Sequence, residues 1–142
     1  MSVDLHEGKE FTGAARTLST TRMLAFSGGP LAAVGWPAKN LHTDAAKAME
    51  AGLSAPIASG IQCEADIIRL LTRVLGDAWS RSGKLHVKYP RPVFADTALL
   101  TRARVLAKRA TDRGTLVELE VSCETGAGEK AVVGTATCFV NA

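Results

Sequence analysis

Histidine is the side chain that titrates nearest neutrality, and the chain carries three, His6, His42 and His86. They are scattered, without an HxH or HxxxH pair, so no metal site is expected. His42 has the most informative setting, in "KNLHTD" between a run of small residues and a helix-like segment. An imidazole held beside a pocket there can give or take a proton at the α-carbon of a carbonyl compound. The alternative is a solvated imidazole at a helix entrance. Gly60, in "APIASGI", is the second candidate, because it falls at or just before the first turn of a helix. Free backbone N–H groups at such a point, with the helix dipole behind them, suit a carbonyl oxygen that gains negative charge. A glycine is also what a helix start needs when it lies close to a neighbouring backbone. Nucleophilic triads have weak support, since there is no GxSxG and Ser59 has no recognisable base nearby in sequence. Phosphate-loop and dinucleotide patterns are absent.

Bulk properties narrow the function classes. The 142 residues match one domain, spanning 1–142. The charge of +3, from 17 basic and 14 acidic residues, is spread along the chain, which argues against nucleic-acid binding. Cys63, Cys123 and Cys138 are an odd, widely spaced set without a CxxC pair, read as buried thiols in a reducing cytosol. "MSVDLHEGKE" carries charge where a signal peptide needs an apolar core, and no apolar run approaches the ~18 residues of a membrane span. The expectation is a soluble, cytoplasmic protein with no membrane contact.

The elements that must position these residues change character near Gly76. Before it the chain reads as helices joined by loops. "LSTTRMLAFSGG" has a Ser or Thr cap and a Gly pair at its end, with Met23, Leu24 and Phe26 as a short buried face. "GGPLAAVGWPAK" is a long loop, and "TDAAKAMEAGL" a short helix capped by Thr43 or Asp44. "SGIQCEADIIRLLTRVLG" is the most helical segment. Ile61, Ala65, Ile68, Leu71 and Leu75 recur at spacings of four, three, three and four. Ile67, Leu70 and Val74 widen the apolar surface, which predicts a core helix surrounded on most sides and closed by Gly76. After Gly76 the period becomes two. "KLHVKYPRPVF", "ALLTRARVLAKRA", "GTLVELEVSCET" and "AVVGTATCFVNA" read as four strands of an antiparallel meander, with Gly134 marking a bulge or a close approach. The result is an α+β arrangement in which the sheet wraps the helix.

"NLHTDAAKAMEAGLSAPIASGI" resembles, without a gap, the segment of MaoC-like hydratases and dehydratases that reads roughly N-P-L-H-x-D, a short helix, A-G-F, P-I and H-G. Leu41, His42, Asp44, Ala48, Ala51, Gly52, Pro56, Ile57 and Gly60 fall where that pattern puts them. "KLHVKYPRPVFADTAL" is similar to the family's V-x-F-x-x-P-V-x-x-G-D-x-L, and "GKEFTGAARTLSTTRMLAFSGG" to its first strand and helix. The resemblance implies a hotdog fold, a curved antiparallel sheet wrapped around a central helix, forming a homodimer or higher homo-oligomer with sites at or near the interface. It implies a hydro-lyase of the (R)-specific enoyl-CoA hydratase kind, acting without a cofactor on a 2-enoyl or 3-hydroxyacyl thioester of coenzyme A or acyl carrier protein. In the family an Asp activates water, a His exchanges the α-proton and the glycine N–H polarises the thioester carbonyl. His42 and Gly60 match two of these roles.

The departures bear on the chemistry. The family's Asp stands five residues before the His, and here that position is Pro37. Lys39 replaces the Asn in ungapped register, and Ser59 replaces the His before the motif glycine. Asp44 is a candidate substitute acid, although a helix cap is its other reading. Glu64, one turn into the core helix, is another, since an apolar setting would raise its pKa and suit it to proton transfer. A salt-bridged or part-exposed glutamate is the plainer reading of the same residue. His42 acting alone, on a reaction needing no activated water, is the third possibility. Ser59 and Gln62 are hydrogen-bonding candidates, and Lys39, Lys88 and Arg91 are candidate contacts for carrier phosphates. Trp36 is a candidate wall of the pocket, and Trp36 and Trp79 could equally pack in the core or at a dimer contact. Two further readings stay open: an acyl-binding protein that has lost catalysis with the Asp, and a hotdog thioesterase using Glu64.

Overall fold

The computed structural model describes residues 3–141. Its framework is the period-two half of the chain. β4 (Ala98–Thr111), β5 (Gly114–Thr125) and β6 (Lys130–Val140) form an antiparallel meander. Leu99, Thr101, Ala103 and Val105 point inward from β4, and Val117, Leu119, Val121 and Cys123 from β5. β3 (Lys84–Lys88) adds to β6 at one edge. At the other, β1 (Glu10–Thr12) and β2 (Arg16–Thr17) both pair with β4, giving the order β1–β4–β5–β6–β3. β2 is a strand that the sequence pattern did not reveal, because two residues are too few to show a period.

Two register shifts interrupt the ladders, one between Val105 and Ala107 and one opposite Cys123 and Glu124. At the second, Cys123 pairs with Val132 and Glu124 with Lys130, so Ala131 is the extra residue of β6. A bulge lets consecutive residues face the same side, and Ala131 and Val132 are both buried. Gly134 marks a close approach, as expected of a glycine inside a strand. A Cβ there would lie 2.0 Å from the His86 carbonyl oxygen and 2.8 Å from Val87 Cα on β3.

Across the concave side lies α3 (Gly60–Leu75), the central helix, which ends where Gly76 turns to φ +57. Its buried face is Cys63, Asp66, Ile67, Leu70, Leu71, Val74 and Leu75. This corrects the expected stripe, of which only Leu71 and Leu75 are buried. Ala65 is exposed, as are Ile61 at 61% and Ile68 at 40%, so the helix is not surrounded on most sides. Apolar residues occupy two rows of this helix, and periodicity alone cannot say which row faces the sheet. Asp66, buried on the inner face, is paired at 2.9 Å with Arg16 of β2, which ties helix to sheet.

α1 (Thr20–Ser27) is capped by Ser19, whose hydroxyl accepts the Arg22 N–H at 3.2 Å. It buries Met23 and half-buries Leu24, whereas Phe26 is 53% exposed and does not belong to the inner face. α2 (Ala45–Glu50) buries Ala48. α4 (Asp77–Ser82) is a short helix between α3 and β3 that the composition did not signal, and it packs Trp79 against the core. Among the described residues no helix is long and apolar enough to cross a membrane. Because the Gly134 position is filled by β3 backbone rather than by a movable side chain, Gly134→Ala is expected to lower stability by about 1–3 kcal/mol in urea unfolding. An open strand position would show no such loss.

Candidate functional site

The site is assembled where three loop segments meet the start of α3. Ala58 N–H donates to Val93 O at 2.7 Å, and Ile57 forms an isolated antiparallel bridge with Phe94. Ile57 N–H donates to Leu41 O at 3.3 Å. The "NLH" and "PIASG" segments and the turn at residues 89–93 are thereby held together. They border an open cavity of about 480 Å³.

His42 borders this cavity, half-buried. Its Nδ1 lies 2.8 Å from the Ile57 carbonyl oxygen. A carbonyl can only accept, so Nδ1 carries the hydrogen. In the neutral ring the lone pair is therefore on Nε2, which has no hydrogen-bond partner among the described residues. Asn40 braces the loop. Its Oδ1 accepts the His42 backbone N–H at 2.9 Å, and its Nδ2 donates to Ser27 O at the end of α1 at 2.8 Å. Thr43 completes the brace, accepting the Asn40 N–H at 3.0 Å and donating to Ala38 O at 2.6 Å.

Gly60 is the first residue of α3, and its N–H has no partner among the described residues. It is one of the orphan donors at the positive end of a sixteen-residue helix. The Tyr89 ring packs on its Cα, so that a Cβ there would lie 2.7 Å from Tyr89 Cε1. A glycine is required at this position by a side chain rather than by a neighbouring backbone. Ser59 lines the cavity as the N-cap residue, yet its side chain makes no capping bond.

The rest of the wall is mostly apolar. Leu53, Ile57, Ala58, Ile61 and Val93 supply one side, and Ala131 and Val132, turned inward by the β6 bulge, supply the other. Among the described residues no lining side chain is an Asp or Glu. Cys63 also borders the cavity, but burial and then the nearby Asp66 charge push its thiol up to about 11, so it stays protonated and poorly nucleophilic at neutral pH.

Of the ten candidate residues, the fold brings His42, Gly60, Ser59 and Arg91 to the cavity. Arg91 is exposed at its rim, 3.2 Å from Glu129. The other six stand elsewhere. Asp44 is the α2 cap, accepting the Lys47 N–H at 3.0 Å, so its carboxylate serves the helix. Gln62 donates to Arg22 O at 3.3 Å and tethers α3 to α1. Trp36 is half-buried against Gly28 rather than in the cavity wall. Lys39 and Lys88 are exposed and outside the lining. Glu64 is not in the wall either, because its carboxylate is held by the Tyr89 hydroxyl at 2.5 Å. Asn40 and Tyr89 are the contributors that sequence reasoning missed. An Asn two residues before a loop His is a signal for a side chain bonded to the backbone. Tyr89, just past the end of β3, continues the alternation of Leu85 and Val87 and is 47% exposed, yet it lines the cavity.

Residues 31–127 match the family model described as the MaoC like domain. The chain belongs to that family. The curved sheet around α3 is the hotdog fold, and solved structures share it. A MaoC-like dehydratase from Rhodospirillum rubrum has a TM-score of 0.77 at 20% identity, over 94% of this chain and 91% of that one. An (R)-hydratase from A. caviae involved in PHA biosynthesis has a TM-score of 0.73 at 21% identity, over 96% and 97%. The HadBC (3R-hydroxyacyl-ACP dehydratase) complex from Mycobacterium tuberculosis has a TM-score of 0.66 at 13% identity, over 97% and 98%. No protein of curated function matches the sequence.

Two substitutions test the local roles. Asp44→Ala is expected to lower stability by about 1 kcal/mol through loss of the cap. Asn40→Ala, which frees the His42 amide and the end of α1 together, is expected to cost more, about 1–3 kcal/mol. Urea unfolding of both variants checks the order.

Proposed function

We propose that residues 1–142 form one MaoC-like domain that acts as a hydratase or dehydratase on a 2-enoyl or 3-hydroxyacyl thioester of coenzyme A or acyl carrier protein. The observation that carries this reading is a histidine with a free Nε2 and an unpartnered helix N–H on one apolar cavity. In the dehydration direction, Nε2 of His42 takes the α-proton. The thioester oxygen, as it becomes an enolate, is stabilised by the Gly60 N–H and the α3 dipole in a largely apolar surrounding. In the hydration direction the same Nε2 returns the proton to Cα. Arg91, at the rim, suits a carrier phosphate. The three cysteines are free, in keeping with a cytoplasmic protein.

A second reading is favoured by a specific observation. No carboxylate lines the cavity, and a site without one would hold an acyl thioester without turning it over. Hydrolysis has less support, since Glu64 faces Tyr89 rather than the cavity. Crotonyl-CoA distinguishes the three. Loss of enoyl absorbance without release of free thiol is the expected result, and His42→Ala is expected to slow it by about 10²–10⁴-fold. Thiol release would point to a thioesterase, and binding without either change to a carrier protein for acyl groups.

The same reading includes a homodimer or higher homo-oligomer. β3 ends the sheet with one edge unpaired among the described residues, and exposed Ile61 and Ile68 leave an apolar face on α3. Sedimentation is expected to give at least twice the 14.9 kDa chain mass, and a monomer at micromolar concentration would contradict this.

A further inference from the structure

This inference rests on the hydratase reading and deepens it. Addition of water needs a group that holds the water and takes its proton, and no lining side chain is a carboxylate. One cavity-lining residue is nevertheless coupled to a carboxylate on the central helix. Tyr89 borders the cavity, lies over Gly60 and donates its hydroxyl hydrogen to Glu64 Oε2 at 2.5 Å. Having given its hydrogen away, the phenolic oxygen still has lone pairs with which to accept one. A bond to an ionised acceptor polarises the hydroxyl and makes that oxygen the better acceptor. Glu64 is four residues beyond Gly60 on α3, one helical turn along the same face. The turn that offers an amide to the thioester oxygen therefore also places the carboxylate.

We propose that Tyr89 and Glu64 form a proton relay that stands in for the aspartate the family carries where this chain has Pro37. In hydration, the water oxygen forms a bond to Cβ while one of its protons moves to Tyr89 Oη, and the hydroxyl proton of Tyr89 moves to Glu64. The electron pair of the C=C bond passes to Cα as the enolate, and a proton on His42 Nε2 completes the Cα–H bond. Glu64 has gained one proton and His42 has lost one, and exchange with solvent restores both. Dehydration runs the same transfers backwards, with departing hydroxide protonated through Tyr89. Tyr89 touches the water and is the catalytic residue. Glu64 acts through it and is a positioning residue and proton sink. Desolvation, and then the bond and charge of Glu64, raise the Tyr89 hydroxyl to about 12, so the phenol is uncharged at neutral pH and passes a proton on rather than storing the charge.

The test compares two reactions of the same site. Exchange of the α-protons of butyryl-CoA in D2O needs His42 and Gly60 but no water at Cβ, whereas hydration of crotonyl-CoA needs the relay as well. Tyr89→Phe keeps the ring over Gly60 without the hydroxyl. Glu64→Gln keeps a hydrogen-bonding partner for Tyr89 that cannot take a proton. Each is expected to lower kcat for hydration about 100-fold with KM within about twofold, and to lower the hydration-to-exchange ratio by a similar factor. The double variant is expected to be no slower than either single one, as for residues acting as a unit. Retained hydration in either variant overturns the relay. Exchange without hydration in the parent protein overturns the relay and leaves the His42 and Gly60 site standing. Absence of exchange in the parent overturns the site reading, and the relay with it.

Discussion

The hydrogen bond from His42 Nδ1 to the Ile57 carbonyl, 2.8 Å long, is the interaction on which the site depends. It selects the tautomer of the neutral ring, and so leaves the lone pair on Nε2. It also joins two segments that are far apart in sequence. Ile57 is bridged to Phe94, and Ala58 to Val93, so the imidazole, the start of α3 and the turn carrying Tyr89 and Arg91 are held in one frame. Asn40 supplies the other half of the brace, between the His42 amide and the end of α1. Each bond contributes about 1 kcal/mol to stability. In the proposed reaction their larger effect is on geometry, because proton transfer is sensitive to small displacements of the base.

The sheet makes the rest of the cavity. The extra residue in β6 turns both Ala131 and Val132 inward, where their small side chains leave room beneath the helix start. Gly134 lets β3 and β6 approach too closely for any side chain. With few polar groups in the wall, the dipole at the Gly60 N–H is poorly screened, which favours charge developing on a carbonyl oxygen. The same environment keeps the Cys63 thiol protonated, so a second nucleophile does not compete. No acid stands in the wall among the described residues, and two lining residues meet a glutamate: Arg91 at the rim pairs with Glu129, and Tyr89 over Gly60 bonds Glu64 on the central helix.

The fold was legible wherever period carried the information. β4, β5 and β6 each alternate over many residues, and a slip by one would turn Val117, Leu119 and Val121 outward. α3 was legible as a helix but not in its orientation. Ile61, Ala65 and Ile68 compete with Ile67, Leu70 and Val74, and the choice is made by the sheet it meets. At the site, the local motif was enough to bring His42, Ser59 and Gly60 to one cavity. Glu64, Gln62, Asp44 and Trp36 lie outside the wall. Spacing places a residue on an element, whereas the partner that captures its side chain, Tyr89, Arg22, the Lys47 amide or the Gly28 turn, is set by tertiary structure.

Nitrogen-15 NMR of the His42 imidazole tests the central claim most directly. In the neutral ring the less common tautomer is expected, with the hydrogen on Nδ1 and an unprotonated Nε2 whose resonance moves when butyryl-CoA is added. A neutral ring with its hydrogen on Nε2, or an Nε2 resonance unaffected by saturating acyl-CoA, would contradict it.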